Sequence, residues 1–152
     1  MNQSENRTHA ADPVFRVRRT HLIFGWTMLV VFGVIGIGLE ALHGFKIGWY
    51  LDVGNETRRL MFRLAHAHGT LFAVVNVIFA LSVQYFENWP TRRMELSARA
   101  LKIGSILLPG GFFISGLYIY DGDPGLGIIL VPFGAIAMLI AFVLTAQGAR
   151  SK

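Results

Sequence analysis

Glu40 and His43 stand three residues apart at the end of a long apolar run, and His66 lies early in the next one. One carboxylate with two imidazoles is the ligand set of a facial triad for iron, and zinc also accepts it. Glu-x-x-His is half of the motif that di-iron bundles use twice. Here it occurs once, without the other bundle carboxylates. Haem asks for less: two axial imidazoles, or one and an open position. His43 with His66 or His68 supplies candidate pairs, so a transition metal or haem is the expected cofactor. The competing structural role is a clamp, with Glu40 accepting a hydrogen bond from His43 or His66 to fix two helices together. A proton or quinone role is the third option. A carboxylate deep in a membrane span is costly and tends to be functional, whereas one near the interface costs less.

His66-Ala67-His68-Gly69 adds a second imidazole at H-x-H spacing. On a helix these two rings point about 200° apart, so one ion cannot take both without distortion. His68 is therefore the weaker ligand, with its ring expected at the interface. The four residues resemble H-x-H pairs in the helices of haem–copper oxidases. That resemblance implies a different centre for each ring. Asn76, deep in the same run, is expected to bond a neighbouring helix. Arg63 should snorkel or pair with Glu40. Tyr118 and the acidic Asp121-Gly122-Asp123 are placed by topology in the same half as Glu40, and two carboxylates fall short of a calcium cage. His21 should snorkel at the opposite interface, and nothing is assigned to His9.

Four apolar stretches must position these groups: Leu22 to Leu42, Leu60 to Phe86, Ile103 to Tyr120, and Leu126 to Ala146. Each is near the ~20 residues a helix needs to cross the hydrocarbon layer. The expected helices cover about 22–43, 57–87, 99–120 and 125–147. Residues 1–21 form a flexible cytoplasmic tail, 22–148 a single four-span domain, and 149–152 a short tail. The first run is longer than a signal-peptide core, and no A-x-A site follows it. Trp49, Tyr50 and Trp89 read as interfacial anchors, Asn55 as a cap, and Asp121 to Gly125 as a tight turn. Pro109-Gly110-Gly111 should kink or locally open the third helix.

Composition agrees. Of 152 residues, 53% are hydrophobic and only 15% charged, well below the quarter usual in soluble domains. This excludes a disordered chain or a soluble enzyme domain. With no cysteine, disulfides, thiolate metal sites and cysteine nucleophiles are excluded too. No P-loop, dinucleotide fingerprint or nucleophile–base pair is present. The net charge of +5 does not point to nucleic acid, because the basic residues flank apolar runs as orientation signals. Ten Lys and Arg fall on the face shared by both termini and four on the other. That bias predicts a multi-pass cell-membrane protein with both termini cytoplasmic.

Helices in lipid approach one another through small residues. Gly25, Gly33, Gly36, Glu40 and His43 share one face of the first helix. Ala65, His66, Gly69, Ala73, Asn76 and Ala80 share one of the second. Gly104, Gly111, Ser115 and Tyr118 align on the third, and Gly127, Gly134, Ala141, Thr145 and Gly148 on the fourth. The expected fold is all-α: an integral-membrane, antiparallel four-helix bundle, with a Glu40–His43–His66 pocket toward the non-cytoplasmic face. The lipid bilayer is its expected partner, along with its own copies or a larger membrane complex. Two functions follow. One is binding of a metal or haem for membrane redox chemistry. The alternative is a non-catalytic structural or accessory subunit. Passage of protons or small molecules is weakened by how few charges line any span.

Overall fold

A computed structural model describes residues 12–52, 54 and 56–151. The Asn55 cap, His9 and most of the N-terminal tail lie outside these residues. The chain is mostly helical, and four of its helices are long and apolar enough to cross a membrane. In order they are α1 (Pro13–Gly44), the short α2 (Gly48–Leu51), α3 (Glu56–Ser82), α4 (Thr91–Leu117) and α5 (Leu130–Arg150). A 3-10 turn at Val83–Tyr85 extends α3, and another at Leu126–Ile129 leads into α5.

Helix α1 starts well before the expected residue 22. The Asp12 carboxylate accepts from the Val14 N–H at 3.0 Å and Pro13 takes the first turn, a strong start signal. Basic residues that read as tail are therefore helical. At 32 residues α1 is ~48 Å long, against a hydrocarbon layer of ~30 Å. Its first turns, with Arg16, Arg18 and Arg19, extend beyond the apolar stretch. Helix α4 likewise starts early, at Thr91, so the charged segment before Ile103 is helix rather than connection. Pro109 sits inside α4 without ending it. Between α4 and α5 the tight turn forms as a two-residue hairpin pairing Ile119 with Pro124 and Tyr120 with Asp123. Asp121 and Gly122 both adopt positive φ, 46° and 88°, as such hairpins require.

The long helices meet at small residues. A Cβ on Gly25 would lie 2.8 Å from the Ala73 carbonyl oxygen, and one on Gly36 would lie 2.6 Å from Cε1 of His66. Gly69 receives the face of the Phe32 ring. Residue numbers thus rise along α1 as they fall along α3. The same reversal joins α4 to α5, where Gly104 meets Met138, Leu108 meets Gly134, and Gly111 meets Gly127. Ser97 donates to the Ala141 carbonyl at 3.0 Å and shares a hydrogen bond with Thr145. Between α3 and α4, Met61 and Phe62 pack on Gly116.

The result is a row rather than a closed ring. α1 rests on α3, α3 on α4, and α4 on α5, while α1 and α5 are not packed together. Each glycine seam is consumed by one neighbour: Gly25 and Gly36 by α3, Gly127 and Gly134 by α4. Gly148 is covered by the ring of Trp89, which is buried. Tyr50, also expected as an anchor, is buried against Phe62. Gly33 faces open space, so the α1 stripe is only partly used.

One buried polar chain ties three helices together. His21 Nδ1 donates to Asn76 Oδ1 at 2.7 Å. The Asn76 amide donates to Ser105 Oγ and to the Phe72 carbonyl, both at 2.8 Å. Ser105 donates in turn to the Leu101 carbonyl at 2.7 Å. His21, Asn76 and Ser105 are essentially inaccessible to solvent. His21 is thus a core residue, not the snorkelling one its sequence position suggests. The reason is packing: Phe79 covers its ring at 4.9 Å and Asn76 supplies an acceptor.

Two stability predictions follow from these contacts. Gly134→Val places new atoms against the Leu108 backbone and should destabilise by about 1–3 kcal/mol through overpacking, whereas Gly33→Ala should not destabilise. Thermal unfolding in detergent compares them. Asn76→Leu leaves the His21 donor unpaired and should cost about 1–3 kcal/mol, while the double variant His21→Phe/Asn76→Leu should recover much of the loss. A double variant no more stable than Asn76→Leu would remove the paired role of these side chains.

Candidate functional site

The end of the α1–α3 contact nearest α2 holds a cavity of about 620 Å³. Glu40 and His43 of α1, Tyr50 of α2, and Arg59, Arg63 and His66 of α3 line it. The three residues singled out by sequence therefore share one cavity. Their geometry differs from a metal triad.

His66 docks at the level of Phe32 and Gly36. Its Nδ1 lies 2.9 Å from the Phe32 carbonyl oxygen. A carbonyl only accepts, so Nδ1 carries the proton and Nε2 keeps its lone pair. The absence of a side chain on Gly36 makes room for the ring. Glu40 sits one turn beyond Gly36, about 6 Å along the axis, and His43 about 10 Å beyond it. Both are exposed at the cavity rim while His66 is half-buried. Among the described residues, no group of three or more His, Asp or Glu side chains could hold a metal ion. The expected Glu40–His43–His66 ligand set is thus not assembled in this structure. The i,i+3 spacing placed Glu40 and His43 on the right face but said nothing of the height at which His66 meets α1.

The expected clamp is also replaced. Among the described residues Glu40 makes no ion pair, whereas Arg59 pairs with Glu56 at 2.8 Å. The bond that joins α1 to α3 here is the one from His66 to the Phe32 carbonyl. Arg63 is exposed and lines the cavity, without the proposed pairing to Glu40. Tyr118 is exposed and does not line it. Asp121 and Asp123 belong to the α4–α5 hairpin and likewise stay outside.

His68 points away from the cavity. Its Nδ1 bonds the Leu64 carbonyl one turn back at 2.8 Å, and its ring packs on Phe112 of α4 at 5.3 Å and on Phe72 at 5.8 Å. It is half-buried between helices instead of wet at an interface. His66 and His68 therefore serve opposite neighbours, as their spacing on a helix requires.

Sequence reading missed two other contributions. Arg58 stacks over the Trp49 ring at 4.4 Å and donates to the carbonyls of Trp49 and Gly116. It thereby binds the α1–α3 connection to the end of α4. His21 was the other, and only the depth of Asn76 hinted that a partner was needed. No family model, curated protein or solved structure matches the chain.

Proposed function

We propose that this chain is a multi-pass membrane protein with its helices crossing in alternate directions and both termini cytoplasmic. Its outer cavity offers His66 Nε2 to a haem or a single transition-metal ion for membrane redox chemistry. The observation that carries this reading is the His66–Phe32 bond. A ring that gives Nδ1–H to a backbone carbonyl is held in the tautomer and orientation that metal-ligating histidines use. Haem needs one such ligand and an open or second axial position, so this reading does not depend on a three-residue cluster. Arg59 and Arg63 provide guanidinium groups suited to carboxylates on a bound cofactor. A volume of about 620 Å³ lies within the ordinary range for small-molecule and cofactor pockets. Bound there, iron would supply one-electron transfer. The chain's own residues hold the ring, position the cofactor and balance its charge.

The second reading is an accessory subunit of a membrane complex. It is favoured by the open row, in which α1 packs mainly on α3 and leaves Ile23, Trp26, Val30, Val34 and Ile37 exposed.

Purification in mild detergent, with a visible spectrum and metal analysis, separates the two. The redox reading expects an absorbance band or stoichiometric metal that His66→Ala abolishes and His68→Ala leaves in place. A colourless, metal-free protein would leave the accessory role. Orientation is testable because the chain has no cysteine of its own. Lys46→Cys should react with an impermeant thiol reagent on intact cells, and Arg92→Cys only after permeabilisation. The reverse pattern would invert the topology.

A further inference from the structure

The cavity at the α2 end of the α1–α3 contact carries a second arrangement besides His66. Glu40 of α1 and Arg63 of α3 both line it, and both are exposed there. The antiparallel register brings them to one level. His66 meets α1 at Gly36. Arg63 lies three residues before His66, and Glu40 four residues after Gly36. Those steps amount to about 4.5 Å and about 6 Å toward the same end. A carboxylate and a guanidinium so placed could pair directly. They do not: among the described residues the ion pairs are Arg16–Glu95 and Arg59–Glu56. Arg59, one turn further along α3, is thus engaged. Glu40 and Arg63 are left on the α1 and α3 walls with the cavity between them.

Opposite charges held apart across a cavity are complementary to a ligand that carries the same two charges. A plain anion would meet Arg63 and be repelled by Glu40, and a plain cation the converse. A zwitterion satisfies both. Leu39 and Ala67 add apolar lining, and α1 and α3 continue from this level as apolar, span-length helices. The place therefore suits a zwitterionic group at the head of an apolar molecule.

We infer that this cavity binds a phosphoethanolamine group, its phosphate on Arg63 and its ammonium on Glu40. A primary ammonium donates charged N–H groups to the carboxylate, a strong class of hydrogen bond that a trimethylated nitrogen cannot make. The shared chemistry fits the headgroup of phosphatidylethanolamine or soluble glycerophosphoethanolamine. The lipid source rests on the membrane reading above. Neither source requires a metal or haem, and an ion on His66, a turn deeper, leaves this level free.

The full-length protein in neutral maltoside detergent tests this by titration with three dioctanoyl lipids. Phosphatidylethanolamine carries both charges and the N–H donors, phosphatidylcholine both charges without those donors, and phosphatidylglycerol the phosphate alone. The double variant Glu40→Gln/Arg63→Gln supplies the background, so that lipid held elsewhere is subtracted. The remaining component should favour phosphatidylethanolamine at least fivefold over either other lipid. Arg63→Gln alone should weaken it at least fivefold, and Glu40→Gln alone should bring phosphatidylethanolamine and phosphatidylglycerol within twofold of each other. His66→Ala, which removes any metal or haem held there, should keep the lipid preference, so loss of one reading is distinguishable from loss of the other. Competition by glycerophosphoethanolamine at millimolar concentration identifies the soluble group as sufficient, and its failure identifies the lipid; either fits the site. Binding undiminished in the double variant, or equal binding of the three lipids by both the unaltered protein and His66→Ala, would overturn the proposal.

Discussion

Close approach of helix backbones at glycine is the constraint on which the remaining geometry rests. Two apolar helices gain little from burial against each other when the surrounding solvent is itself apolar. Gly134 against the Leu108 backbone, Gly111 against Gly127 and Gly25 against Ala73 allow dense contact between these apolar helices. The same device shapes the candidate site. Gly36 leaves the space in which the His66 ring turns to the Phe32 carbonyl, and Gly69 one turn on receives the Phe32 ring itself. A glycine and an aromatic ring alternate along one seam, so the position of His66 is a product of packing and not of any metal or acid nearby.

Polar groups add specificity that glycine cannot. A seam of small residues can slide by a turn at modest cost, whereas the His21–Asn76–Ser105 chain accepts one register only. Each member has both a partner and a direction, because Asn76 meets carbonyl and hydroxyl acceptors through nitrogen and an imidazole through oxygen. Networks of this kind help when fully satisfied and are costly when not. Here the chain is complete at its α4 end, where Ser105 reaches the Leu101 carbonyl. It is open at its α1 end, at Nε2 of His21.

The four long helices were legible because a run of some 20 uncharged apolar residues has few other solutions. Their ends were less so. Asp12-Pro13 is a helix start whose signal is local, but the arginines that follow it look like tail to any measure of hydropathy. The small faces of α3 and α5 were legible from 100° periodicity. Which neighbour each face would choose was not, since periodicity gives an angle and carries no identity. A compact bundle was the natural expectation, and the contacts run mainly from α1 to α3, α3 to α4 and α4 to α5. The candidate site was legible as a neighbourhood and not as a coordination sphere. Angle alone put Glu40, His43 and His66 in one cavity, yet the vertical offset between α1 and α3 is set by Phe32 docking on Gly69, a contact no spacing rule reveals.

Three of the four histidines in the described helices share a feature. His21, His66 and His68 all commit Nδ1 to an oxygen: the Asn76 amide, the Phe32 carbonyl and the Leu64 carbonyl. Every one of them therefore offers Nε2, and the surroundings of Nε2 decide its use. At His68 it lies among phenylalanines between α3 and α4, where a packing role suffices. His66 itself lines a wide cavity rimmed by two arginines and a carboxylate. At His21 it is sealed in the core beneath Phe79. The tautomer is common to all three, so the difference in function must come from volume and charge around the lone pair, properties set by which helix faces which.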